Sequence, residues 1–101
     1  MSTDILTTVA ALHRLLAASP ELQSIPVSWM VTAREGVNGG LTPGDPEIRK
    51  AADLVAEAAG VEVTGDVMEL KSYGPMLARF VRGSFDGVEV FFGGYATPEV
   101  S

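Results

Sequence analysis

The chain has no cysteine and only one histidine among its 101 residues. Disulfide frameworks, zinc-thiolate centres and cysteine nucleophiles are therefore excluded, and a multi-histidine metal site cannot be assembled. Nothing indicates an oxidising compartment, so the cytoplasm is the expected location. Basic residues are also scarce: seven Lys and Arg stand against thirteen Asp and Glu, for a net charge of −6. Phosphate-backbone binding rests on clustered Lys and Arg that release counterions, so direct nucleic-acid binding is not expected. The acidity serves solubility, or fits a basic groove on another protein. No apolar run approaches the roughly 20 residues of a membrane-spanning helix, and Asp4 stands where a signal peptide carries Lys or Arg. Neither membrane insertion nor export is expected. There is no G-x-S-x-G, no H-E-x-x-H, no Gly-Lys-Ser/Thr phosphate loop and no G-x-G-x-x-G at a helix start. No cofactor, metal or catalytic residue is assigned, and the chain is read as non-enzymatic.

Apolar residues make up 47% of the chain and charged residues 20%, the composition of a folded domain, here one spanning 1–101. Its clearest signal is Asp86-Gly87 between alternating apolar residues, which predicts a hairpin over 76–95 with a two-residue turn. The register follows: Phe85 opposite Val88, Ser84 opposite Glu89, Arg82 opposite Phe91 and Val81 opposite Phe92. One face then carries Leu77, Val81, Phe85, Val88, Val90 and Phe92, and reads as core. The other carries Phe80, Arg82, Ser84, Glu89, Phe91 and Tyr95, with an Arg82–Glu89 diagonal pair expected. A slip of one residue would bury Arg82 and Glu89, which favours this register.

Upstream, Ile5, Val9, Leu12 and Leu16 recur at helical spacing, with Leu6 and Leu15 widening the stripe; a helix over about 3–18 is predicted, capped by Ser2 or Thr3 and closed by Ser19-Pro20. His13 lies at the edge of that stripe and reads as an ordinary boundary residue. Val27, Trp29, Val31 and Ala33 alternate with polar neighbours as a half-buried strand, with Trp29 as a core anchor. Residues 35–45, EGVNGGLTPGD, are glycine-rich; Asn38-Gly39 is expected to form a tight turn that folds the strand back for a few residues through Leu41, or the whole segment a mobile recognition loop. Asp45-Pro46-Glu47 is a helix start with a capping carboxylate, a proline at the first position and a negative charge at the positive end of the dipole. Ile48, Ala51, Ala52, Val55, Ala58 and Ala59 give that helix a narrow face of small side chains, and Gly60 stops it. Asp53 and Glu57, one turn apart, read as a solvated acidic face. Strands are predicted at 61–64 and 67–71, with a bulge or short turn at Gly65-Asp66, and a loose tail after Tyr95.

The predicted order is α-β-α-β-β-β: an α+β two-layer sandwich with two helices on one face of a four-stranded mixed sheet, containing a right-handed β-α-β unit from 27 to about 71. Two helices roof only one face, so Phe80, Arg82, Glu89, Phe91, Tyr95 and Met30 are left as a candidate protein-interaction surface. Its expected partner is a protein, either a second copy joined back-to-back or edge-to-edge or a heterologous one. The alternative is a small-molecule binder or enzyme with a pocket between the glycine-rich loop 35–45 and the sheet, where acid or base work would fall to Glu35, Asp45, Glu69 or Asp86 with Tyr73. A covering of the aromatic patch by the N-terminal segment, that loop or the tail also stays open. The D-P-E-led alanine-rich helix ending A-A-G-V-E-V, with the closing F-D-G-V-E-V-F hairpin, resembles the small uncharacterised α/β proteins of actinobacteria and their phages. That resemblance implies an accessory role, such as binding or inhibiting a host protein, and supplies no catalytic residue.

Overall fold

The computed structural model describes residues 4–98. Asp4 opens the first helix, α1 (Ile5–Ala18), its carboxylate accepting the Thr7 N–H at 2.8 Å. Ser2 and Thr3 lie outside the described residues, and Asp4, inside the predicted span 3–18, is itself the cap. Thr8, Ala11 and Leu15 are the buried face of α1, whereas Ile5 and Val9 of the expected stripe are exposed. Ser19 ends α1, and Pro20 begins a single turn absent from the sequence reading, α2 (Pro20–Gln23), which buries Leu22. Proline suits a first helical position because its missing N–H would find no partner there.

Five strands follow where four were expected: β1 (Ser28–Thr32), β2 (Gly36–Gly40), β3 (Val67–Leu70), β4 (Gly74–Phe85) and β5 (Val88–Ala96), in the sheet order β1-β2-β5-β4-β3. The added strand is β2, built from the glycine-rich segment. Asn38 and Gly39 do not turn; they pair with Met30 and Trp29, and the turn falls at Ala33–Glu35, where the Glu35 N–H donates to Thr32 Oγ1 at 2.9 Å. The glycines serve close approach instead. A Cβ on Gly36 would lie 2.2 Å from the Glu89 carbonyl oxygen, and one on Gly39 would lie 2.5 Å from the Trp29 ring. The parallel pair is β2 with β5, so the crossover runs through α3 (Ile48–Ala59) and the β3–β4 hairpin rather than ending near residue 71.

The helix α3 starts two residues later than its sequence signal. Asp45 accepts the Glu47 N–H at 2.8 Å in a local turn, and the helix proper begins at Ile48 and ends on left-handed Gly60 with φ 70°. Its buried Ile48, Ala51, Ala52 and Val55 let the helix sit close to β4 and β5; Ile48 lies where a Cβ on Gly94 would come within 3.0 Å. Residues 61–64 are not a strand beyond a single bridge, Thr64 to Phe80. Between that bridge and Val67↔Leu77 both strands advance by three residues, so nothing is inserted and the expected bulge is absent. Gly65 accommodates the irregularity with φ 141°.

The β4–β5 hairpin has the expected register from Phe85↔Val88 outward, and Asp86 and Gly87 occupy the left-handed region at φ 52° and 76°. Only turns of this hand match the twist of the flanking strands with two residues. Val81, Val88, Val90 and Phe92 face the helices and join Val37, Ala11, Leu15, Leu22, Ala51, Ala52 and Val55 in the core. Among the described residues, no helix is long and apolar enough to cross a membrane.

Candidate functional site

Both long helices cover the same side of the sheet, and among the described residues no helix lies on the other side, although the end of that side at Met76 and Ala78 is buried. Strand alternation sends Phe80, Arg82, Ser84, Glu89, Phe91 and Tyr95 to that outer face. The register extends the row across the sheet: Arg82 is opposite Phe91, Phe91 opposite Asn38, and Asn38 opposite Met30.

Three rings form one cluster. Phe80 and Phe91 have centroids 6.0 Å apart and tilted, and Phe80 meets Tyr95 edge-on at 5.8 Å. Such geometries add about 0.5–1.5 kcal/mol per pair beyond burial. The rings are half-buried by one another and by Gly93, where a Cβ would come within 3.0 Å of Phe91 and 3.2 Å of Phe80. Gly36–Gly40 of the glycine-rich segment is a strand of the sheet itself and cannot cover the patch, while Gly44 beyond it reaches the end of β5, its N–H donating to the Tyr95 carbonyl at 2.8 Å; the tail beyond Pro98 lies outside the described residues.

Arg82 does not pair with Glu89 as expected. Its guanidinium carbon lies 5.4 Å from the Phe91 ring centroid, a cation–π placement, and no Arg82–Glu89 ion pair forms among the described residues. Glu89 instead lines, with Arg82, Phe91, Arg34, Glu35 and Asn38, a shallow groove of about 530 Å³. Met30 is 62% exposed and separated from Phe91 by Asn38, so it flanks the cluster without joining it.

Sequence did not place Arg34, Glu35 and Asn38 on this face: Asn38 reads there as a turn residue and Glu35 as the start of the glycine-rich segment. The missing step was the β1–β2 turn: once Ala33–Glu35 is a corner, Asn38 falls opposite Met30 and the two charged residues reach the rim. The groove offers two guanidinium groups, two carboxylates, one amide and one ring face. That set suits the mixed chemistry of a protein surface, a peptide amide against Asn38 and side chains of either charge against the rim. Among the described residues, no three His, Asp or Glu side chains are grouped so as to hold a metal ion. No family model, no curated protein and no solved structure matches the chain.

Proposed function

We propose that the chain is a non-enzymatic protein-binding domain that receives its partner on the outer face of the sheet. The observation that carries this reading is the unroofed Phe80–Phe91–Tyr95 cluster, continuous with a rim in which two arginines and two glutamates balance within a chain of net charge −6. Adjacent rings bring apolar contact area at small entropic cost, and a rim of both signs selects orientation. An accessory role of the phage type, binding or inhibiting a host protein, is the class that fits. The groove also supports a second reading, since about 530 Å³ lies within the range of small-molecule sites.

Affinity capture from the source cells tests the proposal with three baits: the wild type, Phe91→Glu and a control, Asp53→Arg, on the exposed side of α3. A partner held by wild type and control, and lost by Phe91→Glu while its circular dichroism stays native, supports the outer face; the purified partner should then bind at least roughly tenfold more weakly to Phe91→Glu. Equal retention by Phe91→Glu overturns the assignment. A rise in melting temperature with a metabolite, abolished by Phe91→Glu, moves the site to the small-molecule class.

A further inference from the structure

The β1 side of the molecule is open in both layers. Among the described residues β2 is the only neighbour of β1, which leaves one row of its N–H and C=O groups unpaired. Free edges are ordinarily blunted by charge, proline or a bulge. Ser28–Thr32 contains no charged residue and no proline, and its register with β2 is unbroken. The opposite edge is guarded: β3 carries Glu69 in mid-strand, is followed by Lys71, and is preceded by the irregularity at Gly65.

Above β1, α1 turns an apolar flank to the same edge. Thr8, Ala11 and Leu15 point into the core, and Arg14 reaches Asp86 in the hairpin turn on one side. Ile5, Val9, Leu12 and Leu16 lie on the other side; Leu12 and Leu16 are half-buried against the core, and Leu16 lines an apolar groove of about 420 Å³ with Leu22, Ile25, Val27 and Trp29. Ile5 and Val9 are 45% and 46% exposed. Their spacing of four, three and four residues is that of a seam between paired helices.

Charge identifies the occupant. Residues 5–33 contain one carboxylate of the chain's thirteen acidic residues, Glu21, and it pairs with Lys50 of α3 at 3.4 Å. Asp4 at the α1 cap and Glu35 in the β1–β2 turn bound this flank, which between them is poor in negative charge for so acidic a molecule. A basic partner gains nothing by choosing it, whereas a second acidic copy meets little repulsion there.

We infer that a second copy of this chain docks along β1, antiparallel about a two-fold axis at Met30, with α1 packing on α1 above the junction. A two-fold operation is self-complementary, so one contact pairs both open edges and covers both apolar flanks. The axis stands perpendicular to the sheet. Both aromatic faces therefore point the same way, and the dimer offers its outer surface twice. The contact is independent of any partner at Phe91, so each can fail without the other.

The absence of cysteine makes the geometry directly testable. Facing residues of an antiparallel pair have Cα atoms about 4.5–5.5 Å apart, within disulfide reach. With oxidised glutathione, Met30→Cys should cross-link at least roughly tenfold faster than Val67→Cys on the opposite edge. Light scattering of the wild type should give twice the 10.6 kDa of one chain. Val9→Glu, or Ile5→Glu should the first variant lose its helical circular dichroism, should return the mass to one chain, and Phe91→Glu should leave the dimer intact. The proposal is overturned by a one-chain mass for the wild type, by equal cross-linking at the two edges, by a dimer that survives Val9→Glu with Met30→Lys, or by dissociation in Phe91→Glu.

Discussion

Gly39 and Gly40 are neighbours in β2 on opposite faces of the sheet, and adding one methyl group to each should have opposite consequences. A Cβ on Gly39 would lie 2.5 Å from Cζ3 and 2.8 Å from Cε3 of Trp29, whose ring lies across the strand on the helix side. A Cβ on Gly40 would meet nothing closer than the Gly93 carbonyl oxygen at 3.4 Å. The first change overpacks a ring contact, at about 1–3 kcal/mol. The second mainly restricts the unfolded chain, a gain of about 0.4–1 kcal/mol where the backbone is unstrained. Trp29 has one direction of escape, into the 420 Å³ groove that it already lines, so relaxation exposes the indole rather than distorting the sheet. The expected gap between the two variants is roughly 2–3 kcal/mol, or about 10–20 °C in melting temperature for a chain of this size.

Trp29 is the only tryptophan, so its fluorescence reports the contact without labelling. Gly39→Ala should shift the native emission to the red and lower the urea midpoint, while Gly40→Ala should change neither in that direction. In a Trp29→Ala background the penalty of Gly39→Ala should vanish, giving a coupling close to its whole cost. Equal midpoints for the two alanine variants, or an unmoved emission maximum, would refute the placement of the ring over Gly39.

Two further outcomes follow from caps and corners. Gly87 sits at φ 76° with nothing within 4 Å of its missing Cβ, so Gly87→Ala isolates the left-handed backbone cost, about 1–2 kcal/mol in a urea melt; an unchanged midpoint would remove the two-residue turn. The backbone N–H of Thr7 holds the Asp4 carboxyl below its ordinary pKa of 3.8. Because the folded value is the lower one, the cap contributes fully above that ordinary value and is lost as pH falls through the folded value. Because asparagine also caps, stability of Asp4→Asn relative to wild type, measured between pH 7 and pH 2, isolates the charge and should converge only at the acid end; a constant difference would dismiss the contribution of the carboxylate charge.

Much of this architecture is legible from local rules because those rules coincide with tertiary demands. At Asp86-Gly87 the turn residues, the alternation and the burial of Val81, Val90 and Phe92 all require one register, and the structure has it. The α3 stop at Gly60 is equally local. Legibility failed where glycine had a non-local purpose. In Gly36–Gly40 glycine and asparagine signal a turn, but the neighbours that make them a strand are Trp29 and Glu89, one across the hairpin and one far along the chain. A single sequence displays the missing side chain and not the atom that fills its place. The same omission hid where Arg34, Glu35 and Asn38 lie, since their position on the rim depends on β2 lying beside β5.

The same device operates on both faces of the sheet. On the helix side the notch at Gly39 draws Trp29 down against the backbone, and on the outer side Gly93 lets Phe80 and Phe91 lie low over β5 where no helix approaches. Rings held in this way have little rotamer freedom left to lose, and Arg82 is already fixed over Phe91 before anything docks. Ordering side chains at an interface costs about 0.5–1.5 kcal/mol for each flexible group, so a surface ordered in advance retains more of its contact energy as affinity. A glycine pair at 93 and 94 is thus a device of recognition as well as of packing: Gly94 admits Ile48 and seats α3 on one side, while Gly93 levels the aromatic platform on the other. Core and docking surface are set back to back on adjacent residues of the central strand.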